Sequence, residues 1–105
     1  MEIIFQSFDV RELCQSQEVA ERMLSIGGAK TLRAVLANLR AASTLSEFLA
    51  LHDVLVDGDR VKILIAENVM LVIRQSHLHP PQKGDCMDWD KVYRVRILSI
   101  GGDDA

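Results

Sequence analysis

The hydrophobic period of this chain changes once, from about 3.6 residues to 2, and that change restricts the folds open to it. The stretch AKTLRAVLANLRAA sets Leu32, Val35, Leu36 and Leu39 at the i, i+3, i+4, i+7 spacing of a single helix face. From Arg60 onward the pattern is different. RVKILIA, VMLVIRQ and DKVYRVRILSI are rich in β-branched residues and alternate like strands. Helices followed by strands predict an α+β domain, with the helices packed on one face of a small twisted antiparallel sheet.

The remaining segments complete the order β-α-α-α-β-β-β over residues 1–105 as one domain. MEIIFQ reads as a first strand. Asp9 is placed to cap a turn carrying Val10, Leu13 and Cys14, and Ser16 to cap a segment carrying Val19, Met23 and Leu24. Gly27-Gly28 is expected to interrupt that segment. Thr44 with Glu47 three residues on has the form of a capping box before Leu45, Phe48 and Leu49. Asp57-Gly58 marks a turn, Glu67-Asn68 a tight hairpin, and SHLHPPQKGDCMD a loop punctuated by Pro80-Pro81 and Gly84.

Strand side chains alternate between faces, so parity sorts them. Val61, Ile63, Ile65, Val69, Leu71, Ile73, Tyr93, Val95 and Ile97 fall on apolar faces, expected under the helices. The opposite parity carries Arg60, Lys62, Arg74, Arg94 and Arg96 among Leu64, Met70, Val72, Val92 and Leu98. With cooperating registers these five bases share one side of the sheet, a surface suited to a phosphate backbone or to an acidic protein partner. A plain solvent-facing sheet would also look like this. No aromatic residue falls on the basic parity, which separates it from the usual stacking platforms for RNA bases. The stripe Lys30, Arg33, Ala37, Arg40 on the long helix reads as its solvated side.

Overall charge argues against indiscriminate polyanion binding, because 15 acidic residues outweigh 12 basic ones and the pI is about 5.5. The cysteines, Cys14 and Cys86, do not form a disulfide framework. MEIIFQ lacks the form of a secretory leader, and no apolar run approaches the roughly 20 residues that span a bilayer. A reducing, cytoplasmic setting without membrane contact is expected. No pattern calls for a cofactor. His77-x-His79 with Asp85 and Cys86 has some resemblance to a metal-ligand set, but its prolines and irregular spacing favour a loop without metal. Gly27-Gly28 lacks the spacing of a phosphate loop, GGDD reads as a soluble acidic end, and Trp89 is expected to pack at the entrance to the last strand.

At these residues a family likeness is visible. FQSFDVRELCQSQEVAERMLSIGGAKTLRAVLANLRAASTLSEFLAL resembles the N-terminal half of HigB-like plasmid-maintenance killer proteins of the RelE/ParE toxin superfamily, and MDWDKVYRVRILSI resembles their final segment. The likeness implies a RelE/ParE-like domain with an open groove on the sheet. It also implies the toxin of a toxin–antitoxin module that cuts messenger RNA on the ribosome. A cognate antitoxin, often a helix-turn-helix protein, would restrain it and supply its only link to DNA. Such cleavage needs a base for the 2′-hydroxyl, an acid for the leaving oxygen and cations for the phosphorane. His52, Lys62, Arg74 and Arg94 are the candidates here, with Arg60, Lys62, Arg74, Arg94 and Arg96 as binding residues for RNA or a partner.

The sequence departs from the family in three places. Val69-Met70 stands where the family has an arginine early in the middle strand. HDVLVDGD offers only His52, displaced in register, where the family often has Arg and His. Gly102-Asp103-Asp104 replaces the usual Asp-Tyr-His after the last strand. These changes predict weakened or lost cleavage, and the alternative is a catalytically silent relative that only binds an antitoxin or other protein. A metal enzyme built on the His77/His79 loop is the reading from a different class.

Overall fold

The computed structural model describes residues 1–102, so Asp103, Asp104 and Ala105, including part of the altered end noted above, lie outside the description. The elements are β1 (Glu2–Phe5), α1 (Phe8–Gln15), α2 (Gln17–Ala41), α3 (Leu45–Leu49), β2 (Leu55–Asp57), β3 (Arg60–Ala66), β4 (Val69–Gln75), β5 (Gln82–Lys83), β6 (Cys86–Met87), a 3-10 turn (Trp89–Lys91) and β7 (Arg94–Gly101). One sheet of five strands has the order β1-β7-β4-β3-β2, and β5 and β6 form a separate ribbon. The expected α+β arrangement is present, with helices packed on the sheet.

The sheet is mixed rather than purely antiparallel. β1 runs parallel to β7, with Glu2 opposite Arg94 and Ile4 opposite Arg96. The two strands lie at opposite ends of the chain, and the helices and remaining strands between them supply the long crossover that parallel pairing requires. Three further strands lie where the sequence suggested only a turn and a loop. β2 pairs back on β3 through the Gly58 turn, where φ is +63°, and β5–β6 is a hairpin turned at Gly84, where φ is +65°. Both glycines sit in the left-handed region that a side chain disfavours. Asn68, at φ 60°, makes the tight turn between β3 and β4.

Hydrophobic parity correctly places most of the core. Leu32, Leu36 and Leu39 of α2 bury against Val61, Ile63, Ile65, Leu71, Ile73, Val95 and Ile97 of the sheet. Each such side chain removed from water contributes about 1.5–3 kcal/mol before entropy. Tyr93 is the exception, at 55% exposed. Parity holds only along an extended, paired chain, and β7 begins at Arg94. The 3-10 turn before it sends Val92 into the core, where its carbonyl accepts from Leu45 N–H at 2.7 Å. Further along β7, Val72 pairs with Ser99 but Ile73 with Ile97, so Leu98 is a bulge. The bulge reverses parity and brings Ile100, opposite Leu71, onto the core side.

The helix starts differ in detail from the sequence reading. Ser7, not Asp9, caps α1, because its Oγ accepts from Val10 N–H at 3.3 Å and Asp9 already lies inside the first turn. Ser16 caps α2 in the same way, through Val19 N–H. The expected capping box does not form at α3, because the glutamate bonds the residue before the N-cap. Glu47 accepts from Ser43 N–H at 2.9 Å, while the Thr44 hydroxyl makes no cap bond. Gly27 and Gly28 lie within α2, and the break falls two residues earlier, at Ser25, with φ 73° and ψ 169°. Ser25 Oγ accepts from Gly28 N–H at 3.2 Å and so restarts the helix. Gly28 suits this corner because an added Cβ would come within 3.1 Å of Leu24 Cβ.

This packing sets the cost of two substitutions. Leu36→Ala should destabilise the protein by about 2–5 kcal/mol in denaturant titration, and a loss under about half a kcal/mol would mean that the α2 face is misassigned. Ser25 occupies backbone space that is nearly glycine-only and costs about 1–3 kcal/mol, whereas replacing a serine cap by glycine costs only a few tenths. Ser25→Gly should therefore raise the unfolding midpoint, and Ser25→Ala should lower it.

Candidate functional site

β3, β4 and β7 bring Arg60, Arg74 and Arg96 into one row. Arg60 lies directly opposite Arg74, and Arg74 directly opposite Arg96. All three are on the sheet face away from the helices, since their strand neighbours Val61, Ile73, Val95 and Ile97 fill the core. Like charges facing each other across strands destabilise a sheet. The row ends at Asp57, opposite Arg60, and at Ile4, opposite Arg96. Asp57 directs its carboxylate to Lys62 at 3.9 Å, a long and exposed contact of little energetic weight.

The arginines differ in how they are held. Arg94 is gripped by Glu2, with Nε to Oε2 at 3.1 Å and Nη2 to Oε1 at 3.3 Å, so its charge is largely matched. Among the described residues Arg96 meets only the neutral Gln6, Nη1 to Oε1 at 3.4 Å. The Nε atoms of Arg74 and Arg96 are both buried without a hydrogen-bond acceptor among the described residues. An unsatisfied buried donor costs about 1–3 kcal/mol, so both side chains gain by turning their forks onto an anion.

A shallow groove of about 480 Å³ lies at this corner, lined by Ile4, Arg74, Gln75, Ser76, His77, Leu78, Arg94 and Arg96. His77 comes from the segment expected to be a plain loop. Ser76 N–H donates to Arg94 C=O at 2.9 Å, which carries the β4–β7 ladder past its last assigned pair and sets His77 opposite Tyr93. Tyr93 N–H donates to His77 Nε2 at 3.2 Å, so the neutral imidazole carries its proton on Nδ1. The two rings meet edge to face, with centroids 4.4 Å apart and planes at 83°. Gln75 Oε1 fixes the turn by accepting from His77 N–H at 2.8 Å. His77 therefore lines the groove beside the arginines, and Tyr93 packs edge to face against it. The available signal was the register itself, because extending the Gln75–Val95 pairing by two residues gives His77–Tyr93.

Among the other candidates, Lys62 shares the face of the arginine row, one step along β3 from Arg60 and tied to Asp57. His52 is not with them. It sits on the helix side, its ring 4.7 Å from that of Phe48 and its Nε2 3.1 Å from Asn38 Nδ2. Met70 lies opposite Gly101 on β7, at the far end of β4 from Arg74. Among the described residues, no three His, Cys, Asp or Glu side chains gather into a metal-holding group, and His77 turns toward Tyr93 rather than toward a ligand set. Burial raises the Cys14 thiol to about 11 against the weaker opposing pull of Arg40, which leaves it a poor nucleophile. No helix among the described residues is long and apolar enough to cross a membrane.

Desolvation, and then the nearby Arg94 charge, hold His77 below its ordinary value of 6.5, with Glu2 opposing. The unfolded chain therefore binds a proton here at a higher pH than the folded protein does. The associated stability is present above about pH 6.5 and is lost as pH falls through and below that value. His77→Gln should flatten this part of the stability–pH curve, read as urea midpoints from pH 7.5 to 5. Parallel curves for the two proteins would show that His77 is uncoupled from folding.

No model of a known protein family matches the chain, and no curated protein or solved structure does either.

Proposed function

We propose that this protein is a toxin-type component of a two-gene toxin–antitoxin module, a HigB-like member of the RelE/ParE superfamily with weakened or lost RNA cleavage. Its open sheet face receives RNA, on the ribosome where such proteins work, and a cognate antitoxin covers or restrains that face. The observation that carries this reading is the in-register row of Arg60, Arg74 and Arg96, which like-charge repulsion disfavours unless an anion joins it. The order β-α-α-α followed by strands, with helices on one side only, is also what the sequence likeness implies.

Weak cleavage follows from the chemistry within reach. Arg74 and Arg96 can stabilise charge on a pentacoordinate phosphorus, but two proton transfers are also required. His77 is the titratable group nearest to them that could move a proton near neutrality. Its Nε2 lone pair already accepts from Tyr93 N–H, and the remaining Nδ1–H of a neutral ring is a very weak acid. Met70 stands where the family's middle-strand arginine is expected. These features also favour the second reading, a catalytically silent relative that binds an antitoxin or another protein and leaves RNA uncut.

Induced alone in a bacterium, the protein should slow growth weakly or not at all. Primer extension across a translated message should show few or no discrete cuts. Removing a single transition-state charge donor reduces rates on the order of a hundredfold or more. Strong growth arrest with cuts at fixed codon positions would overturn the weakened-cleavage reading. RNA crosslinked to the protein in ribosome-containing lysate should be lost in the Arg74→Glu, Arg96→Glu double variant. Retention of RNA by that variant would remove the open face from the function.

A further inference from the structure

We propose that this protein forms a symmetric dimer with a second copy of itself through the free edge of β1, so that the two sheets run on as one. The inference does not depend on what the open face binds. β1 closes one end of the sheet, with β7 on its inner side and, among the described residues, no strand on its outer side. Parallel pairing uses alternate residues of such a strand. Glu2 N–H donates to Tyr93 C=O at 2.9 Å and Gln6 N–H to Ile97 C=O at 3.0 Å, so Glu2, Ile4 and Gln6 bond inward to β7. Ile3 and Phe5 therefore turn both N–H and C=O to the outer edge, where no backbone group among the described residues takes them up. A groove of about 630 Å³ runs along this edge, bounded on the α1 side by Phe8, Arg11 and Gln15, and Phe8 is 73% exposed. Open edges are normally blunted by lysine, proline or a bulge, and EIIF carries none of them.

What fits this edge is another β1. A twofold axis makes the two strands antiparallel, and an axis at Ile4 sets Ile3 opposite the partner's Phe5 and Phe5 opposite the partner's Ile3. These are the residues with free backbone groups, so all of those groups are used, in the hydrogen-bonded pairs of an antiparallel ladder. Ile4 meets the partner's Ile4 as a non-hydrogen-bonded pair, and Ile3 with Phe5 is an aliphatic–aromatic pair of the kind that stabilises sheets. The charges also match. The same axis sets Gln6 opposite the partner's Glu2 on the open face. Gln6 Oε1 accepts from Arg96 Nη1 at 3.4 Å, so the partner's Glu2 arrives beside an arginine that has no carboxylate partner among the described residues. Glu2 keeps its own Arg94 on the inner side. A strand from an unrelated protein could take the backbone groups, but the match of Glu2 to Arg96 belongs to a second β1. The other edge, β2, suits a copy less well. Its Asp57–Arg60 pair flanks the two-residue Gly58-Asp59 turn and bonds inward, as does Leu55–Lys62, which leaves only Val56 of that strand facing out.

Sedimentation velocity of the full chain over a range of concentrations should show a monomer–dimer equilibrium that weakens with added salt. Ile4→Glu places a carboxylate opposite Arg96 within the subunit, which the fold accommodates, and two carboxylates face to face across the seam. It should raise the dissociation constant by about tenfold or more, whereas Ile4→Val should leave it close to wild type. Glu2→Gln and Arg96→Gln should each weaken the dimer, and together by less than the sum of their separate effects, as residues in contact do. Thermal unfolding checks that each variant is folded. The register is read by crosslinking in a Cys86→Ser background, which removes the exposed thiol. Ile4→Cys should be linked to its partner copy by a mild oxidant, because facing residues of such a pair lie within disulfide reach. Val56→Cys and the Cys86→Ser parent should not. Where a charge variant fails to fold, the crosslink decides. A protein that stays monomeric at every concentration overturns the proposal, including one that takes an antitoxin strand on β1 instead. A dimer that withstands Ile4→Glu, or that is linked through Val56→Cys and not through Ile4→Cys, is joined elsewhere and overturns it as well.

Discussion

The contact on which the structure depends is the seam between the apolar face of α2 and the inward face of β3, β4 and β7. Leu32, Leu36 and Leu39 on one side meet Val61, Ile63, Leu71, Ile73, Val95 and Ile97 on the other, all nearly or completely removed from water. Only one face of the sheet is covered this way. The other face then carries the basic side chains of Arg60, Lys62, Arg74, Arg94 and Arg96. The open face is thus the counterpart of a one-sided core, and its chemistry is set by whichever residues alternate with the core positions.

That alternation puts three arginines side by side where pairing one of them with an acid would be less strained. Of the acids near the row, Glu2 is paired with Arg94, and Asp57, opposite Arg60, makes a long, exposed contact to Lys62. Among the described residues Arg74 and Arg96 have no carboxylate partner, and His77, whose pKa burial lowers, lines the same groove. Cations without a proton shuttle suit gripping a phosphate better than breaking it. This separation of binding from proton transfer ties the electrostatics of the corner to a weakened-cleavage reading.

Regular elements were legible wherever a local signal was strong. The α2 face, the Glu67-Asn68 hairpin and the alternation of β3 and β4 follow from side-chain period and turn chemistry, which act over a few residues. The same local signals failed where two of them competed. Gly27-Gly28 looked like the helix break, but Ser25 supplied a cap three residues ahead of Gly28 and moved the break upstream. β2 and the β5–β6 ribbon went unseen because strands of two or three residues carry too little periodicity to register.

By itself the sequence determined the α+β class, nearly all of the core, and the five bases of opposite parity, because hydrophobic period and alternation are properties of the chain alone. Tertiary structure decided the parallel pairing of β1 with β7, the bulge at Leu98, the removal of His52 to the helix side and the exposure of Tyr93. It also brought His77 to the arginines. Each of these depends on how strands far apart in sequence are registered, and register is fixed by the shared burial of both partners rather than by either one. The bases were written in the sequence; which of them oppose one another, and which ring stands beside them, was settled only when β4 and β7 paired.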